Sequence, residues 1–207
     1  MGNEIKVTRK TTESLMEAVV DFDGTKPDYR KDINTGIVFL NHMIEHIAWR
    51  GGINIKMDVQ LDKFNLAHVV CEDLGLAFGK AISTYIKRNR ENGVTGYGDA
   101  IGIIDEAKAE AVFSFEERAY FDFTSAVSLT EKTEDMATED LLVFLEGLCQ
   151  GANCTLHLDV LKGKNAHHVW EAAFRAVGVA LKRALYLDET RAGKTAGVAG
   201  NIEFTIE

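Results

Sequence analysis

One order of elements is spelled twice along this chain, and any fold it adopts must accommodate two copies of one small unit. In the first copy, residues 5–12 and 14–22 are rich in Val, Thr, Ile and Phe and predict two strands. A polar, turn-rich connection follows at 23–34. Thr35 then caps a helix to about Arg50, which puts Ile37, Leu40, Met43, Ile44 and Ile47 on one face and stops at Gly51-Gly52. Ile53, Ile55, Met57, Val59 and Leu61 alternate with mostly polar residues, as in a half-buried strand, and Asn65 opens a helix to about Asn92, ended by Gly93. The second copy repeats the order. Strands are predicted at 108–115 and 118–123, a polar connection at 124–133, a helix from Thr138 to about Gln150, a strand at 154–161 and a helix from Asn165 to about Leu187. Duplication explains this better than coincidence. The implied class is α+β, with half-repeats at residues 1–95 and 96–207, each a small sheet with two helices on one face, packed against its twin. The faces left over require an oligomer to cover them.

Each copy carries chemistry at the same place, in the first turns of its second helix. His68 stands four residues before Glu72, and His167 four before Glu171, so each pair shares a helix face. His168 lies about 100° further round and is aimed at a different site. A neutral imidazole beside a carboxylate is a natural pair of metal ligands. One such pair alone reads as a surface coincidence. Five of the six histidines, at 42, 46, 68, 167 and 168, fall in helical stretches with this kind of spacing, which favours metal ligation. His157 alternates along a strand and is assigned no role.

Composition narrows the partners. A net charge of −9 argues against nucleic acid or a polybasic membrane contact. Cys71, Cys149 and Cys154 form no C-x-x-C and are odd in number, which favours a reduced, cytoplasmic location. The N-terminus has no apolar stretch of the signal-peptide kind, and no run approaches a membrane span.

Several motifs then fall in one order. Arg9-Lys10-Thr11-Thr12-Glu13-Ser14 is similar to R-x-T-x-E-T, and residues 34–43, from Asn34-Thr35-Gly36 to Asn41-His42-Met43, to S-T-G-I-G-F-L-D-H-M. Glu72-Asp73-Leu74-Gly75 matches the end of H-H-T-V-E-D-V-G, Asp105-Glu106-Ala107 matches D-E-A, and Asn165 to Glu171 matches N-x-H-H-x-x-E. Together, over roughly residues 9–200, they resemble the imidazoleglycerol-phosphate dehydratase family. The resemblance implies a fold of the ribosomal protein S5 domain 2-like kind, a 24-subunit shell with active sites between subunits, and a manganese-dependent lyase of histidine biosynthesis. The donor types alone suit Mn, Fe, Ni or Zn.

Two metal sites of three histidines and one glutamate are also implied. Under exchange of the halves, one set is His42, His68, Glu72 and His168, which is complete, and the mirror set is Val143, His167, Glu171 and Val69. Two ligands of the mirror set are valine, so one complete site is expected. His46 stands where the family usually has Gln; it either joins the surviving site or is a solvated helix residue. Arg9, Arg118 and Lys194 are the implied substrate-binding cations, whereas Gly96 and Ala196 occupy the positions of a family arginine and lysine. Asn41 replaces an aspartate beside His42. Glu13 is the implied proton-transfer carboxylate, and Arg175 takes the place of a lysine, keeping its charge but not its ability to act as an acid or base near neutral pH.

Three readings stand. The first is a metal-dependent carbon–oxygen lyase, a dehydratase with compensating residues such as Lys194, His46 and Arg175. The second is a divergent enzyme with one metal site and a different small-molecule substrate. The third is a non-catalytic shell or metabolite-binding protein.

Overall fold

The computed structural model describes residues 3–63, 65–200, 202–203 and 205–206, so the outermost ends of the two expected half-repeats lie outside the described residues. Strands β1 (Glu4–Lys10) and β2 (Ser14–Asp21) form a hairpin, helix α1 (Val38–Gly51) follows, and β3 (Asn54–Leu61) pairs antiparallel with β2. This sheet has the order β1-β2-β3. Helix α2 (Ala67–Arg88) leads into β4 (Tyr97–Ile104), β5 (Ala107–Ser114) and β6 (Tyr120–Ser125). A short hairpin, β7 (Lys132–Thr133) and β8 (Met136–Ala137), precedes α3 (Thr138–Ala152), β9 (Thr155–Lys162) and α4 (Ala166–Ala184). The second sheet runs β4-β5-β9-β6, with β6 parallel to β9. In the first sheet the place of β6 is taken by one parallel bridge, Ile33 to Met57.

Strand β4 was not among the expected elements, and its residues show why. Its inward positions are Gly98, Ala100 and Gly102, while Tyr97, Ile101 and Ile103 face outward and are more than half exposed. The usual apolar-in alternation is therefore inverted. The inward residues are small because α4 lies directly on the strand: a Cβ at Gly98 would come within 2.1 Å of the Ala180 carbonyl, and one at Gly102 within 2.1 Å of that of Ala172. Helix packing chose those residues, and in doing so it erased the strand signal.

The helices pair across the two halves. Helix α1 packs on α4, and α2 on α3. Phe144 of α3 stacks between Phe78 of α2 and Phe174 of α4, with centroids 6.4 Å apart in both contacts. All three rings are fully buried. Each contributes roughly 1.5–3 kcal/mol of hydrophobic stabilisation, so the two halves share one core.

The start of α1 is also held from a distance. Thr35 was expected to cap it, but Ile37 is the N-cap residue and offers no side-chain acceptor. The Asp135 carboxylate, at the tip of the β7–β8 hairpin, accepts from the backbone N–H groups of Val38 (2.8 Å) and Phe39 (2.9 Å). Thr35 is buried and instead donates its hydroxyl to the Asn41 amide oxygen at 2.7 Å. A carboxylate satisfies orphan N–H groups better than a neutral hydroxyl, and it complements the positive end of the helix. Among the described residues, no helix is long and apolar enough to cross a membrane.

Candidate metal centre

Where α1 crosses α4, four ligand-type side chains meet. Glu171 on α4 is nearly buried and points its Oε1 at α1. His46 Nε2 lies 2.8 Å from that oxygen, His42 Nε2 2.9 Å and His167 Nε2 3.9 Å. The i,i+4 spacing puts His42 and His46 on one face of α1, and His167 and Glu171 on one face of α4. Arg175, a further turn along, reaches Glu171 Oε2 at 3.4 Å and donates to the Ile103 carbonyl of β4.

Carboxylates hold two of the rings from behind. Glu45 Oε2 is 3.3 Å from His42 Nδ1, and Glu134 Oε1 is 3.0 Å from His167 Nδ1. An acid behind the outer ring nitrogen selects the tautomer that leaves the inner nitrogen free for a metal. Glu134 sits at φ +53 on the tip of the β7–β8 hairpin, beside the cap residue Asp135. The hairpin that caps α1 therefore also orients His167. A surface hollow lined by Val38, Phe39, His42, Glu134, Asp135 and His167 opens onto this group.

The electrostatics suit a cation. Burial pulls the His46 imidazole below its ordinary pKa, outweighing the opposing pull of Glu171. Burial alone would raise Glu171, but hydrogen bonds from His46 and His42 and the Arg175 charge hold its carboxyl below the ordinary range. The result is a buried carboxylate beside a neutral imidazole, the protonation states that metal ligation needs. Among the described residues, two groups offer three such donors within 4.8 Å of one another: His42, His46 and Glu171, and the more exposed Asp105, Glu106 and His168.

The expected quartet of His42, His68, Glu72 and His168 is not brought together within one chain. His42 meets the other pair's His167 and Glu171, because α1 packs on α4 and not on the helix of its own half. His68 projects from α2 and is mostly exposed, with Asp140 of α3 its nearest acid at 4.0 Å. Glu72 is on the same helix, and Val143 is on α3. His168 turns away to Glu106, 3.0 Å from its Nδ1. That carboxyl is held at about 2 by the Asn165 backbone N–H and by His168, whose own pKa it raises.

The remaining candidates are dispersed. Glu13 lines a hollow with Leu66 and Val69. Arg118 and Lys194 share another with Lys87, Arg90, Glu116 and Glu117. Gly96 and Ala196 face each other there: a Cβ on Gly96 would stand 2.5 Å from that of Ala196. Arg9 is committed elsewhere, in a 2.7 Å ion pair with the buried Asp73, which also accepts from the Ser14 hydroxyl at 2.5 Å. Glu134 and Asp135 escaped sequence reasoning because their partners are distant in the chain. Glu106 had a usable signal, its place in the Asp105-Glu106-Ala107 motif.

An α+β fold with imidazoles gathered around a buried carboxylate defines the class: a domain that presents a group of metal-type donors at a helix crossing. The comparisons carry this further. A sequence model of the family described as imidazoleglycerol-phosphate dehydratase matches residues 35–181. Imidazoleglycerol-phosphate dehydratase of Burkholderia multivorans is 34% identical over 198 residues, covering 95% of this chain and 98% of the relative. That of Ralstonia pickettii is 33% identical over 201 residues, covering 97% and 99%. Among solved structures, the Staphylococcus aureus enzyme superposes with a TM-score of 0.74 at 29% identity, over 89% of this chain and all of the other. The Pyrococcus furiosus enzyme, solved with (S)-C348, gives 0.76 at 28%, over 94% and 99%. This chain belongs to the imidazoleglycerol-phosphate dehydratase family.

Proposed function

We propose that this protein is a metal-dependent carbon–oxygen lyase, a hydro-lyase that dehydrates imidazole glycerol phosphate or a close relative of it. The observation that carries the reading is the convergence of His42, His46 and His167 on the Glu171 carboxylate. These residues would hold one divalent ion, manganese by family resemblance, although the donors suit Fe, Ni or Zn equally. Once bound, such an ion supplies a Lewis acid and a template for an imidazole-bearing substrate. Arg175 keeps Glu171 ionised and aimed. Arg118 and Lys194 supply charge for the anionic end of the substrate, each charge-assisted contact contributing roughly 1.5–3 kcal/mol. Glu13 moves the proton.

In this reading the catalytic apparatus around the ion is completed by neighbouring copies. Glu13 and His168 lie in groups apart from the α1–α4 cluster, and Tyr97, Ile101 and Ile103 leave an apolar outer face on β4. A homo-oligomer of 24 subunits follows by resemblance, with half-repeats at 1–95 and 96–207 as its building units. His68 and Glu72 would belong to the second, depleted metal position. A cytoplasmic location fits three buried free thiols.

Turnover of imidazole glycerol phosphate by the purified protein, reconstituted with manganese, tests the reading. Activity should be lost in Glu171→Gln and in Glu13→Gln while the fold survives. Folded, metal-loaded protein without turnover would overturn it. One observation favours a second reading, a different small-molecule substrate. Gly96 and Ala196 abut where the family has cations, and Glu116 and Glu117 wall the same hollow, a poor setting for a phosphate dianion.

A further inference from the structure

We infer that His46 is a metal ligand, and that with His42, His167 and Glu171 it closes a four-donor site within a single chain. This rests on the metal reading above and goes beyond it, because the site then needs no residue from a neighbouring copy to hold its ion.

The geometry supports this in three ways. First, the side chain of His46 is only 14% exposed against 34% for His42, so it faces the helix crossing and not the solvent. Second, the donor separations suit a common ion. Ligands about 2.0–2.2 Å from a metal stand roughly 3.0–3.5 Å from one another. The donors of His42, His46 and Glu171 all lie within 4.8 Å of one another, with His46 and His42 at 2.8 and 2.9 Å from Glu171 Oε1, and His167 stands at the edge of this group, 3.9 Å from the same oxygen. Each short nitrogen–oxygen contact needs a proton or a metal between its two lone pairs, and one ion can replace all of those protons at once. Third, the scaffold is rigid. All four donors lie on two helices packed against each other, and Glu45 and Glu134 hold the outer nitrogens of His42 and His167.

One consequence follows. The ion's protein shell is three imidazoles and one carboxylate, all from one copy.

The test uses the full-length chain, first stripped with chelator. Zinc affinity is measured by competition with a chromophoric chelator for the unmodified protein, His46→Gln and His42→Ala. Copper(II) is then loaded at one equivalent, and the nitrogens coupled to it are counted by electron paramagnetic resonance. The expected result is a loss of at least about tenfold in zinc affinity for His46→Gln. Copper should couple to three imidazoles in the unmodified protein and two in the variant, with matching thermal unfolding of both metal-free proteins. The copper spectrum of the unmodified protein decides the question even if His46→Gln folds poorly. If His46→Gln keeps full affinity and an unchanged nitrogen count while His42→Ala loses the metal, His46 is not a ligand and the metal reading survives. If the unmodified protein holds no metal, or His42→Ala holds it equally well, the metal reading and this inference fall together.

Discussion

The two crossing helix pairs, α1–α4 and α2–α3, occupy equivalent places in the duplicated fold but use them differently. Align His68 and Glu72 with His167 and Glu171, and Val143 with His42. Gly75, Gly79, Gly147 and Gly151 of the α2–α3 pair then fall opposite Phe174, Gly178, His46 and Arg50 of the other. At three of these four places one pair has glycine where the other carries a ring or a guanidinium. A Cβ on Gly79 would lie 2.1 Å from the Leu148 carbonyl, and one on Gly147 2.7 Å from the Glu72 carbonyl. At Gly178, the equivalent of Gly79, the nearest atom would be 2.8 Å away, on the Arg50 side chain. The α2–α3 pair is pressed backbone to backbone, and the α1–α4 pair stands open around its histidines. Where glycines line the seam, the helices pack closely; where rings line it, the helices stay apart to seat them.

The sharpest way to break the comparison is at the equivalent glycines. Gly79→Ala forces a methyl group to 2.1 Å from a backbone carbonyl and should cost about 3 kcal/mol, whereas Gly178→Ala meets the Arg50 Cβ at 2.8 Å and the His46 carbonyl at 3.0 Å and should cost less, about 2 kcal/mol. Urea unfolding of metal-free protein measures both, and equal losses would dissolve the distinction between the two seams. Next comes the hairpin that caps the open pair. Asp135→Ala should remove about 1 kcal/mol by uncapping α1. It should also weaken metal binding by displacing Glu134 from His167, an effect that chelator competition would show. If metal affinity is untouched, the hairpin is a cap and nothing more.

Two effects of acidity are smaller. His46 should titrate below the ordinary imidazole value of 6.5 and His168 above it. Ring-proton NMR of the metal-free protein separates them, and a His168 midpoint at or below 6.5 would remove the proposed pairing with Glu106. The signs of the stability terms differ. His168, raised by Glu106, lends its stability fully below 6.5 and loses it as pH rises through its own elevated value. Glu106, depressed to about 2, lends its share above its ordinary 4.5 and loses it only in strong acid. The pair is therefore at full strength between about 4.5 and 6.5, and His168→Gln should flatten the alkaline side of that window.

Much of this was legible in the residues themselves. The periodicities of 37–47 and 53–61 marked α1 and β3, because each element buries one face and the pattern records it. Asn165 was readable as a cap because its side chain accepts from its own helix, at His167 N–H. Glu171 and His167 were visible as a pair because four residues make one helical turn. The strand β4 was not legible: its inward face is small to admit α4, a demand imposed from elsewhere in the chain. Nor was the true cap of α1, which lies 97 residues away in Asp135.

The grouping of the ligands divides in the same way. Sequence alone determined which side chains are ligand-like and that they recur in duplicated positions, since identity and local spacing are properties of the chain. Tertiary structure decided the partners. Helices of opposite halves cross, so His42 and His46 face Glu171 and not Glu72, and no local pattern encodes which helix face a distant segment will cover.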